Sequence, residues 1–130
     1  MKNKILIVYS NYYKNISSDL LNGAIKTTKN KTKISKIEVP GVFEIPVVIA
    51  KNIKKYDGFI ALGCVIKGQT PHFDFISQAA TDAIMKLSIE NKKPVANGII
   101  TCLNMKQAIV RKKTKGIEAG KAVLSILNIF

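Results

Sequence analysis

Apolar residues in this chain fall into blocks of two kinds, and the two kinds alternate. Residues 4–9 (KILIVY) form a nearly unbroken apolar run, the pattern of a strand covered on both faces. Ser17 and Ser18 stand ahead of Asp19, Leu20 and Leu21, so a hydroxyl cap and an early acid predict a helix from there to about residue 30. Residues 33–39 return as a strand. Pro40 and Gly41 break it, and residues 43–55 resume at helical spacing, with Pro46 tolerated in the first turn. Residues 58–66 (GFIALGCVI) predict the central strand. In residues 74–91, Phe75, Ile76, Ala79, Ala80, Ala83, Ile84 and Leu87 recur at three and four, which predicts a long helix. Lys93 and Pro94 end it, and residues 95–103 form the next strand. Asn104 with Gln107 three places on predicts a capped, short helix to about residue 112. Gly116 predicts a break before a final helix ending near residue 128.

Four strands alternating with five helices predict an α/β fold: a three-layer sandwich with a four-stranded parallel sheet between helical layers. At 130 residues the expectation is a single domain, 1–130. The apolar runs are strand-sized and stop well short of the ~18 residues of a membrane span, so no membrane partner is expected. The N-terminal run lacks the longer apolar core and small-residue cleavage site of a signal peptide, which predicts a cytoplasmic protein.

Charge changes the picture less than its size suggests. The formal net charge is +13, and residues 26–36 (KTTKNKTKISK) are the densest basic stretch. Yet all but one of the 21 basic residues are lysine, they are spread along the chain, and no aromatic residues interleave with that stretch as stacking platforms. This argues against a specific nucleic-acid partner. The basic surface is suited to collecting an anionic substrate.

The chemistry clusters after the strands, where an open parallel sheet binds its ligands. The only histidine, His72, follows the central strand in a glycine-bearing loop, and imidazole is the side chain suited to proton transfer near neutral pH. Residues 39–46 (VPGVFEIP) place free N–H groups and the Glu44 carboxylate at a helix start, where hydroxyls can be held or where Glu44 simply favours the helix dipole. Gly68, Gln69 and Thr70 offer amides and a hydroxyl able to form an anion nest, or a plain connection. Arg111 is the only arginine, and its planar fork grips phosphate as lysine does not; the alternative is a surface salt bridge. Cys64 and Cys102 lie in strand-like runs without an adjacent histidine or metal-ligand spacing, so they read as inert buried thiols, and no metal site is expected.

Three stretches, VPGVFEIP at 39–46, ALGCVIKGQTPHFD at 61–74 and NGIITCLNMKQAIVR at 97–111, closely resemble the 6,7-dimethyl-8-ribityllumazine synthase family, and the likeness covers nearly the whole chain. The resemblance implies a flavodoxin-like fold assembled as a homo-oligomer, a pentamer or a 60-subunit shell of twelve pentamers, with active sites between neighbouring subunits. It implies condensation of 5-amino-6-(D-ribitylamino)uracil with 3,4-dihydroxy-2-butanone 4-phosphate, with loss of phosphate and water, and without cofactor or metal. Carried over by position, Tyr12 matches the ring that stacks on the heterocycle. Val42, Phe43 and Glu44 match the turn that holds the ribityl chain, and Val65 and Ile66 the backbone that meets the pyrimidine edge. Gln69, Thr70 and Arg111 match the phosphate site, His72 the proton-transfer residue, and Asn97 a wall of the pocket. KKTKG at 112–116 is shorter than the family's usual kink, so the family's active-site lysine either aligns with Lys115 or is lost. The archaeal-type riboflavin synthases share the implied fold but bind no substrate phosphate, and Gln69, Thr70 and Arg111 favour the phosphate-handling enzyme.

Overall fold

The first strand, β1 (Asn3–Ser10), lies inside the sheet because both of its faces are apolar. Ile5 and Ile7 point to one side, Leu6 and Val8 to the other, and all four are fully buried. It pairs with β2 (Thr32–Val39) on one side and β3 (Gly58–Ile66) on the other, and β4 (Val95–Cys102) lies beyond β3. All pairings are parallel, in the order β2-β1-β3-β4. This computed structural model describes residues 2–128; Met1 and residues 129–130, which the one-domain expectation includes, lie outside the described residues.

Helices α1 (Lys14–Thr28) and α4 (Met105–Leu127) cover the Ile5 and Ile7 face, while α2 (Ile45–Lys51) and α3 (His72–Asn91) cover the Leu6 and Val8 face. The result is the expected flavodoxin-like α/β sandwich. From β1 the chain crosses first to β2 and then back to β3, so a topological switch point falls between β1 and β3. Open sheets of this kind leave a crevice at that point, outside the strands' carboxyl ends. No described helix is long and apolar enough to cross a membrane.

The helices depart from expectation in three places. Helix α1 opens at Lys14, about a turn before the predicted hydroxyl cap, with Tyr13 as its N-cap and no side-chain cap bond. Ser17 Oγ instead donates to the Ser10 carbonyl at 2.7 Å, tying the helix to the end of β1. Helix α2 is only seven residues long, preceded by a 3-10 turn at Val42–Glu44, and residues 52–55 leave it in turns. Gly116 does not break the chain. Helix α4 runs unbroken for 23 residues, so the described residues hold four α-helices rather than five. Gly116 lies where α4 crosses α1, and a methyl group there would overlap the Leu20 carbonyl oxygen. The predicted cap of that helix does form: Asn104 Oδ1 accepts from the Gln107 N–H at 2.9 Å, and Gln107 Oε1 accepts from the Leu103 N–H at 2.8 Å.

Candidate active site

A cleft of about 680 Å³ opens at the switch point, outside the carboxyl ends of β1, β2 and β3. Four segments wall it: Ser10 ending β1 with Tyr12 and Tyr13 after it, residues 41–44 after β2, Cys64, Val65 and Ile66 ending β3, and His72, Phe75 and Ile76 opening α3.

The local sequence explains why these segments meet. A Cβ at Gly63 would lie 2.7 Å from Val42 Cγ2, so the bare backbone of β3 lets the 41–44 turn sit directly on the strand. Val42 is buried there, and the Glu44 N–H donates to the Gly41 carbonyl at 3.1 Å, closing the turn. Phe43 and Glu44 are thereby turned toward the cleft. Tyr12, Phe43 and Phe75 keep 73%, 59% and 68% of their surface exposed. Three uncovered aromatic rings around one cleft offer apolar area to a planar ligand. Tyr12 also packs edge-to-face on Tyr13, with ring centroids 4.9 Å apart.

His72 is the first residue of α3, and its N–H donates to Thr70 Oγ1 at 3.4 Å. The imidazole borders the same cleft as the Glu44 carboxylate. Burial pushes the Cys64 thiol up to about 12, with the neighbouring Cys102 adding to the effect. That thiol is protonated at neutral pH and a poor nucleophile. Burial also raises the Tyr13 phenol, helped by Tyr12, Cys64 and Cys102.

The remaining predicted residues lie elsewhere. Gln69 and Thr70 sit in the exposed loop before α3 and do not line the cleft, although Thr70 touches the backbone of His72. Asn97 is exposed on β4, an edge strand, where its Oδ1 accepts from the Ile99 N–H at 3.0 Å. Arg111 is on α4, in the layer opposite His72, and its Nη1 donates to the Gln107 carbonyl at 2.9 Å. Among the described residues no carboxylate pairs with it, so the surface salt bridge is not formed. Lys115 lies one helical turn further along the same flank of α4. A single chain thus gathers Tyr12, Val42, Phe43, Glu44, Val65, Ile66 and His72, and leaves Asn97, Arg111 and Lys115 outside that cleft.

The family model for 6,7-dimethyl-8-ribityllumazine synthase matches residues 2–130. The chain belongs to the 6,7-dimethyl-8-ribityllumazine synthase family. Relatives bearing that name include one from Buchnera aphidicola subsp. Baizongia pistaciae, 41% identical over 98% of this chain and 87% of its own. Another, from Bartonella henselae, is 42% identical over 96% of this chain and 86% of its own. A solved structure described as the ABC domain in complex with L-Trp from Streptococcus pneumonia superposes with a TM-score of 0.50 at 14% identity. It covers 96% of this chain and 40% of that one, a likeness of fold alone.

Ser10, Tyr13, Phe75 and Ile76 also line the cleft of this lumazine synthase family member, and sequence reasoning did not single them out as site residues. Two of them carried a usable signal. Phe75 and Ile76 stand three and four places after His72, hence on the same face of the helix that His72 opens.

Proposed function

We infer that the chain makes 6,7-dimethyl-8-ribityllumazine in riboflavin biosynthesis, condensing 5-amino-6-(D-ribitylamino)uracil with 3,4-dihydroxy-2-butanone 4-phosphate and releasing phosphate and water. The observation that carries this reading is that His72 and the Val42–Glu44 turn border one cleft at the switch point of a chain that belongs to this family.

The chemistry assigns work to each group. Imine formation, phosphate loss and ring closure each move a proton, and one imidazole at the mouth of the cleft can relay them, worth about 10² to 10⁴ in rate. The turn at Val42–Glu44 holds the ribityl hydroxyls through its backbone and the Glu44 carboxylate. Tyr12 stacks on the pyrimidine, and the backbone at Val65 and Ile66 meets its polar edge. Phosphate leaves more readily as its charge is neutralised, which is the part of Gln69, Thr70, Arg111 and Lys115. Holding two polar substrates together supplies much of the remainder, up to ~10 kcal/mol as effective molarity.

Since Asn97, Arg111 and Lys115 do not reach this cleft within one chain, they complete the cleft of a neighbouring copy. A homo-oligomer, a pentamer or twelve pentamers in a shell, brings the β4 edge and the flank of α4 against that cleft. The exposed apolar side chains Val47 on α2 and Phe75, Met85 and Ile89 on α3 supply surface for such contacts. Supplying both substrates to the purified protein should yield lumazine absorbance and phosphate in equal amounts, and light scattering should give at least five chains per particle. A particle that forms neither product at saturating substrate rejects the assignment.

A further inference from the structure

The end of the sheet away from the cleft carries a second recess, of about 610 Å³, lined by Lys4, Lys33, Ser35, Lys54, Lys55 and Tyr56. We propose that it binds a small soluble anion carrying two or more phosphate groups.

Charge placement carries the argument. Lys4 and Lys33 are direct partners in the register of β1 and β2, on the sheet face that bears Leu6 and Val39. Like charges set side by side across two strands destabilise the pairing. Lys54 and Lys55 bring two more ammonium groups from the turns between α2 and β3. Among the described residues no acid lines the recess, and none of its four lysines takes part in either ion pair, Lys86 with Glu90 or Lys112 with Asp19. The adjacent carboxylate, Asp57, is engaged by the Lys4 N–H at 2.8 Å. Among the described residues, the single negative charge of Asp57 leaves the four ammonium groups around this volume under-compensated.

The walls are held in place. Besides that bond, the Asp57 N–H donates to the Lys4 carbonyl at 2.8 Å, and Lys93 Nζ donates to the Ile53 carbonyl at 2.7 Å, anchoring the turns that carry Lys54 and Lys55. The volume lies within the range of small-molecule sites, about 300 to 1,000 Å³. Ser35 and Tyr56 add hydroxyl donors. Ammonium groups without an arginine fork recognise charge density rather than a planar carboxylate, which suits linked phosphates. The Tyr56 ring packs edgewise on Phe59, centroids 6.0 Å apart, and is half-buried, so it is not a free platform on which a nucleic-acid base could stack.

The test is calorimetric titration of the assembled protein with sodium tripolyphosphate at low salt. Binding of one equivalent per chain is expected, weakened roughly tenfold or more by Lys33→Gln with Lys54→Gln and unchanged by Arg111→Ala. Tripolyphosphate should also raise the melting temperature of the parent protein and not that of the double variant, whose ligand-free form should melt higher because the repulsion is relieved. Lumazine formation by the double variant should equal the parent's, which keeps this site separate from the cleft's assignment. The proposal is overturned if the double variant binds as the parent does, if Arg111→Ala abolishes binding, or if a single-stranded oligonucleotide binds while tripolyphosphate does not.

Discussion

Gly116 of α4 lies against the backbone of Leu20 in α1, so close that a methyl group on its Cα would overlap the Leu20 carbonyl oxygen. Gly23 and Gly120 extend the same seam, a Cβ at Gly120 falling 2.9 Å from Thr27 Cβ. Gly116→Ala therefore sets two effects against each other. The helix gains about 1 kcal/mol of intrinsic preference. The overlap is with backbone, which cannot rotate away, so the two helices must separate along a packed face, and overpacking of this kind costs about 3 kcal/mol. The net expectation is a loss of about 2 kcal/mol in urea unfolding. Gly68→Ala, with nothing within 4 Å of the added atom, is the control and should leave stability nearly unchanged. Equal stabilities for the two variants would refute the close-approach role.

The same glycine shows what could be read in advance. The two inner strands were legible because parallel strands buried on both faces must be nearly continuous apolar runs, and residues 4–9 and 58–66 are such runs. Gly116 reads as punctuation in one dimension; its reason is a helix nearly a hundred residues earlier. Ser17 likewise has the composition of a cap, but the strand end offers its hydroxyl the Ser10 carbonyl, and the helix starts earlier. In the cleft, His72 was legible as the only histidine, set in the loop after the central strand, and Glu44 as the polar exception in an apolar stretch. Tyr13 and Phe75 were not, because an aromatic residue looks alike in a sequence whether it faces a core or a ligand.

Cys64 lines the cleft and is nonetheless expected to be unreactive. Alkylation proceeds through the thiolate, and a thiol pushed up to about 12 holds only roughly one part in ten thousand as thiolate at pH 8. A disulfide reagent should find no rapidly reacting thiol in the folded protein at that pH, and both cysteines after unfolding in urea. Rapid labelling of Cys64 in the folded state would contradict the protonated form.

Lys112 Nζ lies 2.9 Å from Asp19 Oδ2, linking α4 to α1. The hydrogen bond from Lys112 holds the Asp19 carboxyl below its usual value. With the folded value depressed, the unfolded chain binds the proton more readily, so the pair's contribution is complete above the ordinary carboxylate range, near 4, and is lost as pH falls through the folded value. Solvent reaches both side chains, so the effect is small and screened by salt. The urea midpoints of the parent and Lys112→Gln should converge as pH falls from about 6 to about 3 and again as salt is raised. Curves that stay parallel under both changes would show that the pair contributes nothing.

His72 and Arg111 stand in different layers of one chain, so the shared catalytic cavity proposed for them requires two copies, and a mixing experiment can detect that. His72→Gln should lower turnover by about 10²-fold or more while leaving substrate affinity nearly intact. Arg111→Ala should mainly raise KM for the phosphate-bearing substrate. Dissociating the two variants and reassembling them in equal amounts creates some junctions with the histidine of one and the arginine of the other. With random assembly in a ring, roughly a quarter of the junctions carry both intact groups. Turnover at limiting phosphate substrate should therefore recover to about that fraction of the parent's rate, far above either variant alone. No recovery, in mixtures shown by mass to contain hybrid particles, would place both groups in a cavity of one chain or remove one of them from the reaction.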